Sequence, residues 1–163
     1  MVDNDLWEVR KLLDTVPGSQ AEARAARGVL VYYGGCSDNR IAIGNLAWRE
    51  RAEIAYAALQ NRLGKGAVDT ASPPPRARWA LLSTDGNQRL VAVRQFGDCV
   101  VDLAPAKALR LIQSPAGSRD EAATIDALRP SLDDCLAPRQ NFTVKRGDLR
   151  LILAEPLYHM LSK

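Results

Sequence analysis

Two glutamate–tyrosine pairs, Glu53 with Tyr56 and Glu155 with Tyr158, are the polar groups whose types and spacing best suit chemistry. Residues three apart on a helix share one face. If two such faces met across a cleft, their carboxylates would have a raised pKa, suited to proton transfer or to binding a cation or small molecule. The structural alternative is that each glutamate makes a buried hydrogen bond or ion pair, with Arg51 and Arg150 as candidate partners, while each tyrosine ring fills core volume. This is the favoured reading. A di-iron site in a helical bundle needs Glu-x-x-His, and tyrosines stand in the histidine positions. His159 is the single histidine of the chain. It is expected at the surface near a helix C-terminus, where the dipole favours its protonated form. With no Gly-x-Gly-x-x-Gly, P-loop or nucleophile elbow, no catalytic residue, metal ligand or cofactor is assigned.

Three cysteines add a second kind of chemistry. There is no Cys-x-x-Cys, which excludes a zinc ribbon. Cys36 follows Gly34-Gly35 and is a candidate free thiol, reactive if exposed. Cys99 and Cys135 are candidates for a disulfide, whose loop closure would stabilise the fold by roughly 3 to 4 kcal/mol. The alternative is three buried thiols that act as small hydrophobes.

The elements carrying these residues follow from a repetition. Pro17-Gly18-Ser19-Gln20-Ala21-Glu22-Ala23 leads to Cys36, and Ala116-Gly117-Ser118-Arg119-Asp120-Glu121-Ala122 leads to Cys135, both at an offset of 99 positions. Ala52-Glu53-Ile54-Ala55-Tyr56 is then matched by Ala154-Glu155-Pro156-Leu157-Tyr158 at an offset of 102, implying three extra residues in the second copy. The chain therefore reads as a diverged tandem duplication, and such a pattern dictates architecture. Residues 1–63 form the first unit, 64–86 a linker containing Pro73-Pro74-Pro75, and 87–163 the second unit. Val101-Asp102 maps onto Val2-Asp3, so the first unit is expected to lack the opening helix of the second. That accounts for the odd number of cysteines.

Within each unit, Ser19 stands three before Glu22 and Ser118 three before Glu121, a capping box that starts a helix. Residues 9–13 and 106–112 read as the preceding helices. Leu90, Val93, Phe96, Gly97 and Val100 make a helical stripe, as do Ile125, Leu128, Leu132 and Leu136. Leu149, Ile152, Leu153, Leu157, Met160 and Leu161 make a third. Pro130 predicts a kink or two short helices in the second of these stripes, and Pro156 a bend near Leu153 in the third. Ile41-Ala42-Ile43 and Phe142-Thr143-Val144 could pair as short strands. The expected fold is mainly α, two related helical units packed as a bundle around a shared core, since a half of about 80 residues is marginal alone.

The string Phe96-Gly97-Asp98-Cys99-Val100-Val101, with Gly117-Ser118, Cys135-Leu136, Leu149-Arg150 and Leu153-Ala154-Glu155-Pro156-Leu157-Tyr158, resembles a family of uncharacterised bacterial proteins built from two copies of such a unit. The resemblance covers the second unit directly and the first through the repeat. It implies a leader peptide and export, and no activity. The opening Met1-Val2-Asp3-Asn4-Asp5 is acidic where a signal peptide is basic. The protein is expected to be periplasmic or secreted if a leader was removed, and otherwise cytoplasmic.

Composition narrows the partners. A net charge of +3, from 22 basic and 19 acidic residues, is too small and too evenly spread to argue for nucleic acid. No run of about 18 apolar residues occurs, so membrane insertion is not expected. Trp7, Tyr32, Tyr33 and Trp48 are expected in the core or at an interface. The expected function is a non-enzymatic interaction or scaffolding module with a protein partner, and a homodimer is the expected assembly. The competing expectation is a small-molecule or cation-binding protein, or an enzyme, that uses the cleft between the copies.

Overall fold

The computed structural model describes residues 5–17, 19–33, 48–64, 88–136 and 144–161. Their regular structure is entirely helical: α1 (Asp5–Leu13), α2 (Gln20–Tyr33), α3 (Trp48–Gly64), α4 (Gln88–Leu103), α5 (Pro105–Gln113), α6 (Arg119–Cys135) and α7 (Arg146–Leu161). The result is the helical bundle that the apolar periodicity predicts. Cys36, the linker beyond Gly64 and the expected strand segments, apart from Val144, lie outside the described residues. Val144 belongs to no regular element and packs against the core.

At the centre of the bundle α3 lies along α7, the most extensive pairing among the described helices. On one side α1 packs on both α2 and α3, and on the other α5 packs on both α6 and α7. The fourth helix, α4, joins the second group by packing on α5, α6 and α7. Leu13, Leu59, Val100, Val101, Leu111, Ile112, Leu128, Leu153 and Leu157 are fully buried in one cluster that draws on α1 and α3 to α7. Each such side chain removed from water contributes about 2 kcal/mol. Leu12 with Ala25, Ala26 and Val29 forms a smaller cluster between α1 and α2.

Local sequence explains the helix ends. Pro105 occupies the first turn of α5, where its missing N–H costs no hydrogen bond. The N-caps of α2 and α6 form as expected: Ser19 Oγ accepts from the Glu22 amide at 3.1 Å, and Ser118 Oγ from the Glu121 amide at 3.0 Å. The reciprocal half of the capping box differs. The Ser19 and Ser118 amides donate to the carbonyls of Val16 and Pro115, so neither needs the glutamate. Glu121 instead accepts from the Gly117 amide at 2.7 Å. Gly117 has φ of 76°, a conformation that side-chain-bearing residues rarely adopt, with open space around it.

Neither internal proline divides its helix. Pro130 lies on the exposed face of α6, where Asp126, four residues back, is also exposed. The neighbouring Ala127 carbonyl accepts from Lys107 Nζ at 3.0 Å. Pro156 is fully buried in α7. Its missing donor frees the Ile152 carbonyl, and there Gly97 of α4 packs so closely that an added Cβ would lie 2.6 Å from that oxygen. Cys99 and Cys135 form a disulfide, with Cα atoms 5.8 Å apart, that ties α4 to the end of α6.

Candidate functional site

Charged side chains rarely sit at the heart of a bundle, yet Glu22, Arg51, Arg94, Glu121, Arg150 and Glu155 are all buried. They form two clusters. In one, Arg150 of α7 donates Nε to Glu121 Oε1 at 2.7 Å, and its other nitrogens reach the carbonyls of Ile112 (3.3 Å) and Ser114 (2.5 Å). These carbonyls lie at the end of α5, where backbone acceptors lack intrahelical donors, so the guanidinium caps a helix from another element. Ser114 Oγ turns back to the Leu111 carbonyl at 3.0 Å.

In the other cluster Arg51 of α3 does the same for α1. Its Nη2 donates to the carbonyls of Leu13 (3.0 Å) and Thr15 (2.9 Å), and its Nη1 to Glu22 Oε1 at 2.7 Å. Thr15 Oγ1 turns back to the Leu12 carbonyl at 2.6 Å. Arginine to N3 glutamate spans 29 positions in both clusters, and arginine to the two carbonyls spans 38 and 36 in both. Every one of these residues, Arg51 and Arg150 included, lies at the single offset of 99.

One residue sets the clusters apart. Glu155 of α7 accepts from Arg51 Nε at 3.1 Å on each oxygen and from Nη2 at 2.8 Å, joining helices that are 104 positions apart. Arg94 of α4 forms a second ion pair with the same carboxylate through Nη1, and donates Nε to Asp98 at 3.2 Å. His159 Nε2 lies 3.6 Å from Glu155, and its Nδ1 lies 4.0 Å from Asp14. Burial alone would raise the Glu155 pKa, but Arg94, Arg51 and His159 outweigh it and hold the carboxyl well below its ordinary range. For Arg51 burial opposes the charged form, and Glu155 with Glu22 reverses that, so its pKa rises. The Glu121 carboxyl is lowered by its bond to Arg150, with the Gly117 amide assisting, against the desolvation of burial.

This geometry corrects the expected pairing of Glu53 and Glu155. Glu53 is exposed and bonds Arg49 one turn away at 3.2 Å, because two residues beyond the buried Arg51 is about 200° around the helix. At the offset of 99 the counterpart of Glu155 is Tyr56, which is half-buried and accepts from Gln60 at 3.1 Å. Glu53 and Glu155 therefore do not share a cleft, and the Glu155 pKa shifts down, away from neutral-pH proton transfer. Tyr158 is buried and meets the His159 ring edge-on at 5.5 Å, and His159 is partly buried rather than a surface residue. Sequence reasoning missed Glu22, Glu121 and Arg94 as network members. For the first two the signal was available: a glutamate and an arginine that both recur at the serine's offset.

A cavity of about 50 Å³ opens over the Arg51 cluster, with Glu22, Arg51, Arg94 and Glu155 among its lining and Trp48, Val93 and Ile152 among its apolar walls. It can hold a few waters or one compact group. Among the described residues no His, Cys, Asp and Glu side chains cluster as a metal site would require. Fold and site together define an all-helical, disulfide-linked bundle pinned by buried guanidinium–carboxylate clusters. No family model matches the chain, and neither a curated protein nor a solved structure does.

Proposed function

We propose that the protein is a non-enzymatic interaction or scaffolding module, a diverged tandem duplication of a helical unit, that works outside the cytoplasm. The observation that carries this reading is the saturation of Glu155: the carboxylate best placed for chemistry is spent joining α7 to α3 and α4. A charge stabilised this way orients helices and is poorly suited to exchanging protons near neutral pH. The recurrence of the arginine–glutamate and arginine–carbonyl bonds at one offset supports duplication. The Cys99–Cys135 disulfide supports an oxidising compartment, and the likeness to exported two-copy bacterial proteins points the same way. No described helix is long and apolar enough to cross a membrane.

The cavity over Arg51 and Glu155 favours a second reading, a small-molecule site. Native mass spectrometry of protein isolated from its host separates the two. The scaffold reading expects stoichiometric complexes with another protein or a second copy. A small-molecule adduct that disappears in Glu155→Gln would replace it with the second reading.

A further inference from the structure

We propose that the cavity over the Arg51 cluster takes a compact uncharged guest, an alcohol on a short apolar stem, in preference to an anion or a cation. The proposal rests on the reading of this cavity as a small-molecule site and adds the chemical class of its occupant.

The charges of the lining come first. Two guanidiniums, Arg51 and Arg94, suggest an anion site, yet Glu22 and Glu155 face the same space and balance them. Each charge is also paired within the protein, Arg51 with Glu22 and Glu155, and Arg94 with Glu155 and Asp98. All four lining residues are more than nine-tenths buried. A guest of either sign would therefore leave an unbalanced charge in a poorly solvated place.

Hydrogen-bonding capacity narrows the class further. Every N–H of Arg51 is spent: Nε spans both oxygens of Glu155, Nη1 reaches Glu22 and Thr15 Oγ1, and Nη2 reaches the Leu13 and Thr15 carbonyls as well as Glu155. An anion finds no donor there. Glu155 is different, because Oε1 accepts from both Arg51 and Arg94, whereas among the described residues Oε2 receives only the Arg51 Nε hydrogen that it shares with Oε1. Its neighbours keep this carboxyl ionised, and a carboxylate oxygen can take further donors. A hydroxyl can donate to Oε2 and accept from a guanidinium beside it. An ammonium can do only the first, and a carboxylate only the second. The remaining walls, with Trp48, Val93 and Ile152 among them, suit a hydrocarbon stem. A volume of about 50 Å³ encloses a hydroxyl and roughly one or two carbons, with the rest of the stem at the mouth.

The test is a set of heteronuclear NMR titrations of the full chain with n-propanol, propylammonium and propionate, probes of one size and three charges. They are read at the Trp48 indole and at the Arg51 and Arg94 Nε signals. Propanol should give saturable shifts with an apparent Kd at least about tenfold below that of either ion, and nuclear Overhauser contacts from its methyl group to Trp48 or Val93. Ala52→Leu, which fills the cavity with an apolar side chain, should abolish the propanol shifts while the Arg51 and Arg94 signals persist. Equal or tighter binding of propionate or propylammonium at these signals would overturn the ligand class and leave the small-molecule reading standing. Saturable binding by none of the probes would overturn both. Propanol contacts confined to residues outside the lining, or propanol shifts that survive in folded Ala52→Leu, would overturn the proposed site.

Discussion

The Arg51 and Arg150 clusters share a plan and differ in reach. Each arginine crosses from a third helix to cap the end of a first, and each is neutralised by the N3 glutamate of a second. The Arg150 cluster is closed within α5, α6 and α7. The Arg51 cluster takes in Glu155 from the neighbouring α7 of the other repeat unit, and with it Arg94. The same local device is thus a finished unit in one place and a joint in the other. The difference turns on one pair of equivalent positions, where α7 has Glu155 and α3 has Tyr56, together with Arg94 of α4.

The strongest way to break the comparison is to remove each arginine. Arg51→Met leaves two buried carboxylates, one of which keeps Arg94, and should cost about 5 kcal/mol in urea denaturation, against about 3 for Arg150→Met, which strands only Glu121. Equal losses would mean that the second carboxylate adds nothing.

Next comes acid. Because the folded-state pKa of Glu155 lies below its ordinary 4.5, its contribution is fully present above that pH and fades as pH falls further. Glu155→Gln should cost on the order of 3 kcal/mol at neutral pH, since it removes the carboxylate that Arg51 and Arg94 share, and should flatten the decline in stability below pH 4.5. Glu121→Gln should flatten it less. Urea titrations at stepped pH will show whether the two slopes differ in that order.

Two glycines sharpen the contrast at a smaller scale. Gly97→Ala drives a methyl into the Ile152 carbonyl and should destabilise by about 2 kcal/mol. At Gly28 the obstacle is the movable end of Glu8, so Gly28→Ala should be neutral or stabilise by up to about 1 kcal/mol. Thermal melts of the two variants should move in different directions. The smallest effect belongs to the feature the clusters share: Ser19→Ala and Ser118→Ala should each cost about 1 kcal/mol, and by the same amount within about 0.5.

What the sequence made legible was what is local. Helix starts at Ser19 and Ser118 are written in adjacent residues, and the apolar stripes around Phe96 and Leu128 announce their helices. The Cys99–Cys135 pairing could be read from the repeat and the odd count of cysteines. The buried ion-pair reading holds for Glu155, which meets Arg51, and fails for Glu53, matched to it through a chance likeness, Ala-Glu-x-x-Tyr, that outweighed the offset of 99 shared by serine, glutamate and arginine. An arginine or glutamate looks like surface in a single sequence, because burial of charge depends on a partner that lies 29 or 104 positions away. Pro130 does not divide α6 into two short helices, and Pro156 is accommodated within α7, for a related reason. The cost of a proline depends on what meets the freed carbonyl, which for Pro156 is Gly97 on another helix.

The Arg51–Glu155 joint also has a temporal meaning. Its two residues are separated by most of the chain, so the entropy of bringing them together is among the largest that this molecule must overcome. Contacts of such long range tend to form after the barrier, once local turns and caps are in place. The bond that unites the halves would then contribute little to how fast the protein folds and much to how long it stays folded.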